Sequence, residues 1–410
     1  MTASQKSGSK LAVGLDVGTT KICAIVGKEE RGKITILAVG VSPSAGLRKG
    51  VVVDADLAVS SIQRAIRDAS EKAGRPIRSA YVGIAGGHIK GFSGSGAIAI
   101  KNREVRLDDV ERLMDAAGAV YVPVERDILH VIPAGFRLDG LNGITDPIGM
   151  QGELLEANVH IVTGSVASVR NLIACCTRAG VDVLDILLEP LASAEAVLGE
   201  TERNKGTVLV DIGGGTTDMA LYRDGVLRHT AVLAIGGDHL TNDIAVGLGV
   251  TAGEAEKIKK AYGCASPGMV DSHESLSAVI DLGGGEAKTL KIPLRHLSEI
   301  IRARCEEFLG LVRKEVVGVP FALSKAAVVL TGGTSLLRGI GELAGEIFGT
   351  PVKIGIPEGV TDGGLVRSPI YATGVGLVRY GLSRYYHDHA DFEAAGVFER
   401  MRKWVNGFFR

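Results

Sequence analysis

The sequence predicts an α/β protein built from two similar lobes around a cleft, and three observations predict it. One glycine and threonine turn is written twice, as LDVGTTK at residues 15 to 21 and as VDIGGGTTD at 210 to 218. Each copy has the same surroundings: an apolar run (11 to 15; 208 to 210), an Asp, the turn, a second apolar run, a polar turn and a third run. That order reads as a β-hairpin followed by a further strand, once per lobe. Finally, 410 residues is too long for one ordinary domain, and the 56 glycines lie largely in turn motifs rather than in low-complexity runs.

The elements follow in order. Residues 1 to 10 are polar and read as a disordered N-terminus. The first lobe core, 11 to 83, has strands, a helix from about Asp56 to Lys72 with Leu57, Ile62, Ala65, Ile66 and Ala69 on one face, a stop near Gly74, and the strand SAYVGIAG. Residues 84 to 163 change character, with a Gly/Ser-rich opening, a short helix around Leu107 to Ala117, and the extended segments ILHVIPAGFRL and EANVHIVTG. They read as an inserted subdomain.

The first lobe continues over 164 to 205 with a helix near Ser168 to Arg178, the strand VDVLDILL, the segment EPLASAEAVL and a polar hinge, ETERNKG. The second lobe repeats the plan: core 206 to 242, an insert at 243 to 297, and core again at 298 to 365. Its insert carries TAGEAEKIKKAYG, with Thr251 and Glu254 spaced as a capping box. A long helical pattern covers 298 to 317, followed by strand AAVVLTGG and helix SLLRGIGELAGEIFG. Residues 366 to 386 return to the first lobe with helix IYATGVGLVRYGLSRYY, 387 to 396 are a linker, and 397 to 410 form a last amphipathic helix.

Composition excludes several classes. A formal net charge of −1 offers no basic face for nucleic acid. Cys23, Cys175, Cys176, Cys264 and Cys305 lack metal-finger or CxxC spacing and read as buried thiols of a reducing cytosol. The N-terminus has no apolar signal core and no window holds 18 uninterrupted apolar residues, so a cytoplasmic protein is expected.

The paired turns carry the chemistry. Glycine lets backbone approach a phosphate closely, and threonine hydroxyls with turn amides donate to its oxygens. An Asp beside a polyphosphate is repulsive unless a cation lies between them, so Asp16 and Asp211 imply Mg2+ held through water. GxxxxGK[ST] is absent, and GSGAIA (94 to 99) and GLGVTA (247 to 252) satisfy a loose dinucleotide pattern without strand-turn-helix surroundings. DLGGG (281 to 285) lacks the following Thr-Thr-Asp and reads as a structural turn.

Five segments, in order, resemble the nucleotide-binding segments of the actin, sugar-kinase and DnaK-type chaperone superfamily: LDVGTTK, ILLEPLASAEAVL, VLVDIGGGTTDMALY, VVLTGGTSLLRGI and YATGVGLVRYG. Within it, ILHVIPAGFRLDGLNGITDPIGMQGELLEANVHIVTG (128 to 164) resembles the insert of the FtsA family of bacterial division proteins. The resemblance implies an actin-like (ribonuclease-H-like) fold that binds ATP with Mg2+ and at most hydrolyses it slowly. It implies that Gly18, Thr19, Thr20, Lys21, Gly213, Gly214, Gly215, Thr216 and Thr217 hold phosphates. Gly332, Gly333 and Thr334 would lie against adenosine, Glu256 and Lys259 would meet ribose hydroxyls, and Glu189 would orient attacking water near Asp211. By the same resemblance the partners are the C-terminal peptide of FtsZ on residues 243 to 297, and further copies of the chain and downstream division proteins on 84 to 163.

At the C-terminus Val397, Phe398, Met401, Trp404, Val405, Phe408 and Phe409 share one helix face, opposite Arg400, Arg402, Lys403 and Arg410. Too short to span a bilayer, this helix fits an interfacial anchor, reversible for one chain and firm for a polymer. The expected place is the cytoplasmic face of the cell membrane, peripheral, at the division site. A cytosolic small-molecule kinase and a pilus-assembly adaptor are the alternatives on the same core; the tail argues against both.

Overall fold

The computed structural model describes residues 10–271, 273–281, 287–319 and 326–384. The predicted anchor, 397 to 410 with Val397, Phe398, Met401, Trp404, Val405, Phe408 and Phe409, lies outside the described residues, as do the linker and most of DLGGG.

Continuous apolar runs buried on both faces make β1 (Lys10–Val17), β2 (Lys21–Glu30) and β3 (Lys33–Pro43) an antiparallel meander. A two-residue pair, β4 (Leu47–Arg48) and β5 (Val51–Val52), precedes α1 (Ala55–Ala73). Asp54 caps α1 by accepting from the Asp56 and Leu57 amides, and Gly74, at φ 65°, ends it. Leu57 departs from expectation: it is 51% exposed, and the buried stripe runs instead through Ala58, Val59, Ile62, Ala65, Ile66 and Ala69. Strand β6 (Ser79–Ile84) then pairs parallel to β1.

The insert is a four-stranded sheet with one helix on it: β7 (Lys90–Ala99), α2 (Leu107–Gly118), β8 (Arg126–Leu138), β9 (Leu141–Ile144) and β10 (Leu154–Ser165), in the order β7-β10-β8-β9. It has its own core around Leu113, Leu155 and Ile161. It also reaches the second lobe, where Arg228 donates to the Ala134 carbonyl (2.9 Å) and His160 Nε2 lies 2.8 Å from the Thr230 hydroxyl. The chain returns through α3 (Val166–Arg178), β11 (Asp182–Leu188), α4 (Glu189–Val197) and α5 (Glu200–Lys205). The polar segment expected as a hinge is thus a short helix, closed by Glu202 accepting from the Gly199 amide.

The second lobe holds β12 (Thr207–Ile212), β13 (Thr217–Arg223), β14 (Val226–Leu233), α6 (Gly237–Leu248), α7 (Ala252–Tyr262), β15 (Ser275–Asp281), β16 (Ala287–Pro293), α8 (Leu294–Val317), β17 (Ala327–Thr331), α9 (Ile340–Phe348) and β18 (Val352–Ile354). Helix α8 begins four residues earlier than expected and buries Leu297, Ile301, Cys305, Phe308, Leu309, Val312 and Val316. At about 1.5–3 kcal/mol for each fully buried large apolar side chain, this face rather than helix propensity holds it in place. The segment expected as one helix from 335 breaks: a 3-10 turn, Gly333–Leu336, precedes α9 because Gly339 adopts φ 77°. In α7, Thr251 accepts from the Glu254 amide (3.3 Å), while the Glu254 carboxylate takes Lys257 instead of closing the box. Last come β19 (Val360–Thr361), which joins the first sheet, and α10 (Ala372–Arg384).

The duplication is visible in the sheets. One runs β11-β6-β1-β2-β3-β19 and the other β18-β17-β12-β13-β14, with the same antiparallel meander and the same parallel additions. Helices α4 and α10 pack together beneath the cleft, so closely that a side chain at Gly376 would collide with the Ala192 carbonyl. All five cysteines are free and buried. No helix among the described residues is long and apolar enough to cross a membrane.

Candidate functional site

The two turns face each other across one cavity of about 970 Å³ between the lobes. Their registers coincide. In the first, Gly18 donates to the Lys21 carbonyl (3.1 Å) below the Val17–Ile22 pair; in the second, Gly213 donates to the Thr216 carbonyl (2.9 Å) below Ile212–Thr217. Thr19 and Thr20 therefore correspond to Gly214 and Gly215, and they stand tip to tip with them. A Cβ on Gly215 would lie 2.5 Å from Thr19 Oγ1, and one on Gly214 would overlap Thr20 Oγ1. Two threonine turns could not meet here, which is why one copy carries three glycines.

Asp16 and Asp211 occupy matching positions near the ends of β1 and β12, and both are buried. Lys21 reaches across the floor, donating to the Ile370 carbonyl (2.7 Å) and lying 3.4 Å from Asp16. Asp211 accepts from Ser193 on α4 (2.6 Å) and from Thr373 on α10 (3.3 Å), which fastens the second lobe's carboxylate to the helices beneath both lobes. Burial pushes the Asp211 carboxyl up to about 6 despite those hydrogen bonds. Burial, reinforced by Asp16, Asp218 and Asp211, raises Glu189 well above the usual carboxylate range. Glu189 is both the first residue of α4 and a wall of the cavity.

On the far side Gly332, at φ 83°, packs so tightly on Asp211 that only glycine fits, and Thr334 donates to the Gly213 carbonyl (2.9 Å). Gly333 borders the cavity beside them. Glu256 and Lys259 are paired at 2.6 Å and also line it.

Sixteen sequence-predicted residues therefore come together around one cavity: Asp16, Gly18, Thr19, Thr20, Lys21, Glu189, Asp211, Gly213, Gly214, Gly215, Thr216, Glu256, Lys259, Gly332, Gly333 and Thr334. Thr217 does not join them. It is fully buried and its hydroxyl donates to the Ile235 carbonyl (2.8 Å), because the register starts β13 there and turns its side chain into the lobe.

Sequence reasoning missed Asp218, Ser193, Thr373 and Asp238. Asp218 pairs with Asp211 in register, accepts from Thr216 (2.8 Å), and has its carboxyl raised well above normal by burial and by Asp211. It was in view as the last letter of the repeated motif. Asp238, 3.4 Å from the Thr20 hydroxyl, bridges the lobes at the mouth. Two glycine turns, the Lys21 ammonium beside them and a buried set of carboxylates suit a multiply charged anion that arrives with a cation.

The family model described as cell division protein FtsA matches residues 208–376, and that of the SHS2 domain inserted in FtsA matches 86–163. Cell division protein FtsA of Pseudomonas aeruginosa is 43% identical, over 99% of this chain and 100% of its own length. That of Escherichia coli is 37% identical over 98% of each, and that of Bacillus subtilis 37% identical over 91% of this chain and 84% of its own. Among solved structures, a chain of the PilM-PilN type IV pilus biogenesis complex superposes with a TM-score of 0.65 at 18% identity, covering 90% of this chain and 98% of that one. MreB5 of Spiroplasma citri bound to ADP gives 0.55 at 16% identity, covering 92% and 99%. The fold is actin-like, and with relatives this similar over nearly the whole length, the chain belongs to the FtsA family of cell division proteins.

Proposed function

We propose that the cleft binds ATP with Mg2+, and that the chain polymerises on the inner face of the cytoplasmic membrane, tethers FtsZ filaments there and recruits later division proteins. The observation that carries the nucleotide reading is the pair of glycine turns facing each other with Lys21 between them and Asp16, Asp211, Asp218 and Glu189 around the floor. Lys21 and the turn amides would meet β- and γ-phosphate oxygens, Gly332, Gly333 and Thr334 the adenosine, and Glu256 with Lys259 the ribose.

The residues fit a hydrated cation. Asp218 Oδ1 is buried with no hydrogen-bond partner. Among the described residues no three His, Cys, Asp or Glu side chains converge closely enough to ligate an ion directly. Water would complete the shell above Asp16, Asp211 and Asp218. When bound, Mg2+ neutralises phosphate charge and favours the ionised form of the surrounding carboxylates. Glu189, whose carboxyl is raised by burial and by the neighbouring carboxylates, would then be an acceptor able to orient a water molecule for slow hydrolysis.

For assembly, residues 84 to 163 would meet neighbouring copies and downstream proteins, residues 243 to 297 the FtsZ C-terminal peptide, and 397 to 410 the lipid surface. One short amphipathic helix binds reversibly, so the polymer supplies the multivalency that makes attachment firm. Co-sedimentation with anionic vesicles tests this, comparing the full chain with one ending at Tyr386, each with and without Mg-ATP. The expected result is binding by the full chain alone, strengthened by ATP. Equal soluble behaviour of both would overturn the tether.

A further inference from the structure

We propose that Thr241, which does not border the cavity, is a positioning residue for the nucleotide: its hydroxyl holds Glu256 and Lys259 in the orientation that meets the ribose. The inference rests on the reading of the cleft as an ATP site.

Thr241 is buried on α6, and three polar groups converge on its hydroxyl. Its hydroxyl donates to Glu256 Oε2 at 2.5 Å and accepts from Lys259 Nζ at 2.7 Å, while Lys259 also donates to the Gly237 carbonyl at 2.9 Å. The Gly237 carbonyl lies 3.1 Å from the same hydroxyl. A hydroxyl has one proton to give. It goes to the carboxylate, the shorter and charged acceptor, because the Gly237 carbonyl already has the Lys259 ammonium.

The hydroxyl is therefore not needed to complete its own helix. It links a carboxylate and an ammonium that both line the cavity, and ties α7 to the first turn of α6. That turn abuts Thr334: a Cβ on Gly237 would lie 2.5 Å from Thr334 Oγ1. Burial by itself would raise the Glu256 carboxyl, but the hydrogen bonds from Lys259 and Thr241 hold it below its usual range. Without Thr241 the Glu256–Lys259 pair persists, Lys259 still donates to the Gly237 carbonyl and Lys260 still reaches Glu256 Oε1 (3.1 Å), but Glu256 loses its direct bond to α6 and is held only by lysine ammoniums. Vicinal ribose hydroxyls are discriminated only by a donor and acceptor held in place.

The test uses the full chain and titration calorimetry with ATP, 2′-deoxy-ATP and 3′-deoxy-ATP, comparing wild type with Thr241→Val, Thr241→Ala and Thr241→Ser. Wild type should prefer ATP over each deoxy analogue by about tenfold, the size of one hydrogen bond to a charged group. Thr241→Val and Thr241→Ala should bring the preference within about twofold, mainly by weakening ATP, and Thr241→Ser should restore it. Equal loss of affinity for all three nucleotides, or retained preference in both hydroxyl-free variants, would overturn the proposal while leaving the ATP site intact. A wild type that binds ATP without preferring it would do the same, whereas a wild type that does not bind ATP would overturn the underlying reading as well.

Discussion

Replacing Asp211 with Asn should stabilise the empty protein at neutral pH, although it removes a group at the centre of the cleft. Asp211 is only 8% exposed and its carboxyl sits at about 6 against 3.8 for a free aspartate. The folded state thus binds its proton more tightly than the unfolded chain does. Stability associated with this proton is full below about pH 4, falls as pH rises from there through about 6, and stays lost above. Asparagine keeps an acceptor for Ser193 and Thr373 and has no charge to bury. A difference of roughly two pKa units corresponds to a gain on the order of 3 kcal/mol at pH 7.5, about 2 at pH 5 and under about 1 at pH 4. Thermal and urea unfolding of the nucleotide-free and metal-free protein at those pH values would read it. A gain that is independent of pH, or a loss at pH 7.5, would refute the view that burial strains this carboxylate. Adding Mg-ATP should reverse the ranking, stabilising wild type more than the variant, because only wild type has the charge the cation offsets.

Three further outcomes follow from the geometry. Gly214→Ala should weaken ATP binding at least about tenfold, since its Cβ would overlap Thr20 Oγ1 across the cleft, and a second change, Thr20→Ala, should recover part of the loss. Gly376→Ala should instead unfold the protein early, costing about 3 kcal/mol or more, because α4 and α10 must separate to clear the Ala192 carbonyl. Glu189→Gln should lower steady-state ATP hydrolysis by about tenfold or more while leaving ATP affinity within about threefold, and equal losses in both would assign Glu189 to binding.

Legibility followed the range of the physics. The two turns, the strands beside them and helix α1 were readable because glycine turns, apolar runs and helical periodicity act over a few positions. The register of the second turn was not. Thr217 is expected to hold a phosphate beside Thr216, whereas both turns close over four residues and Thr217 enters the core. Asp218 was overlooked because a buried Asp in a strand is meaningful only once Asp211 is seen opposite it. Ser193 and Thr373 reach Asp211 from 18 and 162 residues away, and no local pattern announces that meeting.

By itself the sequence determined the duplication, the insert, the actin-like class and sixteen of the residues that border the cleft, because those features rest on repeated local chemistry and on similarity along the chain. Only the tertiary structure decided which hydroxyls face the cavity, how the carboxylates strain one another, and why Thr241 stands behind Glu256 and Lys259. Those are matters of burial and of angstrom-scale approach between segments far apart in the chain, and neither quantity exists until the lobes have closed around the cleft.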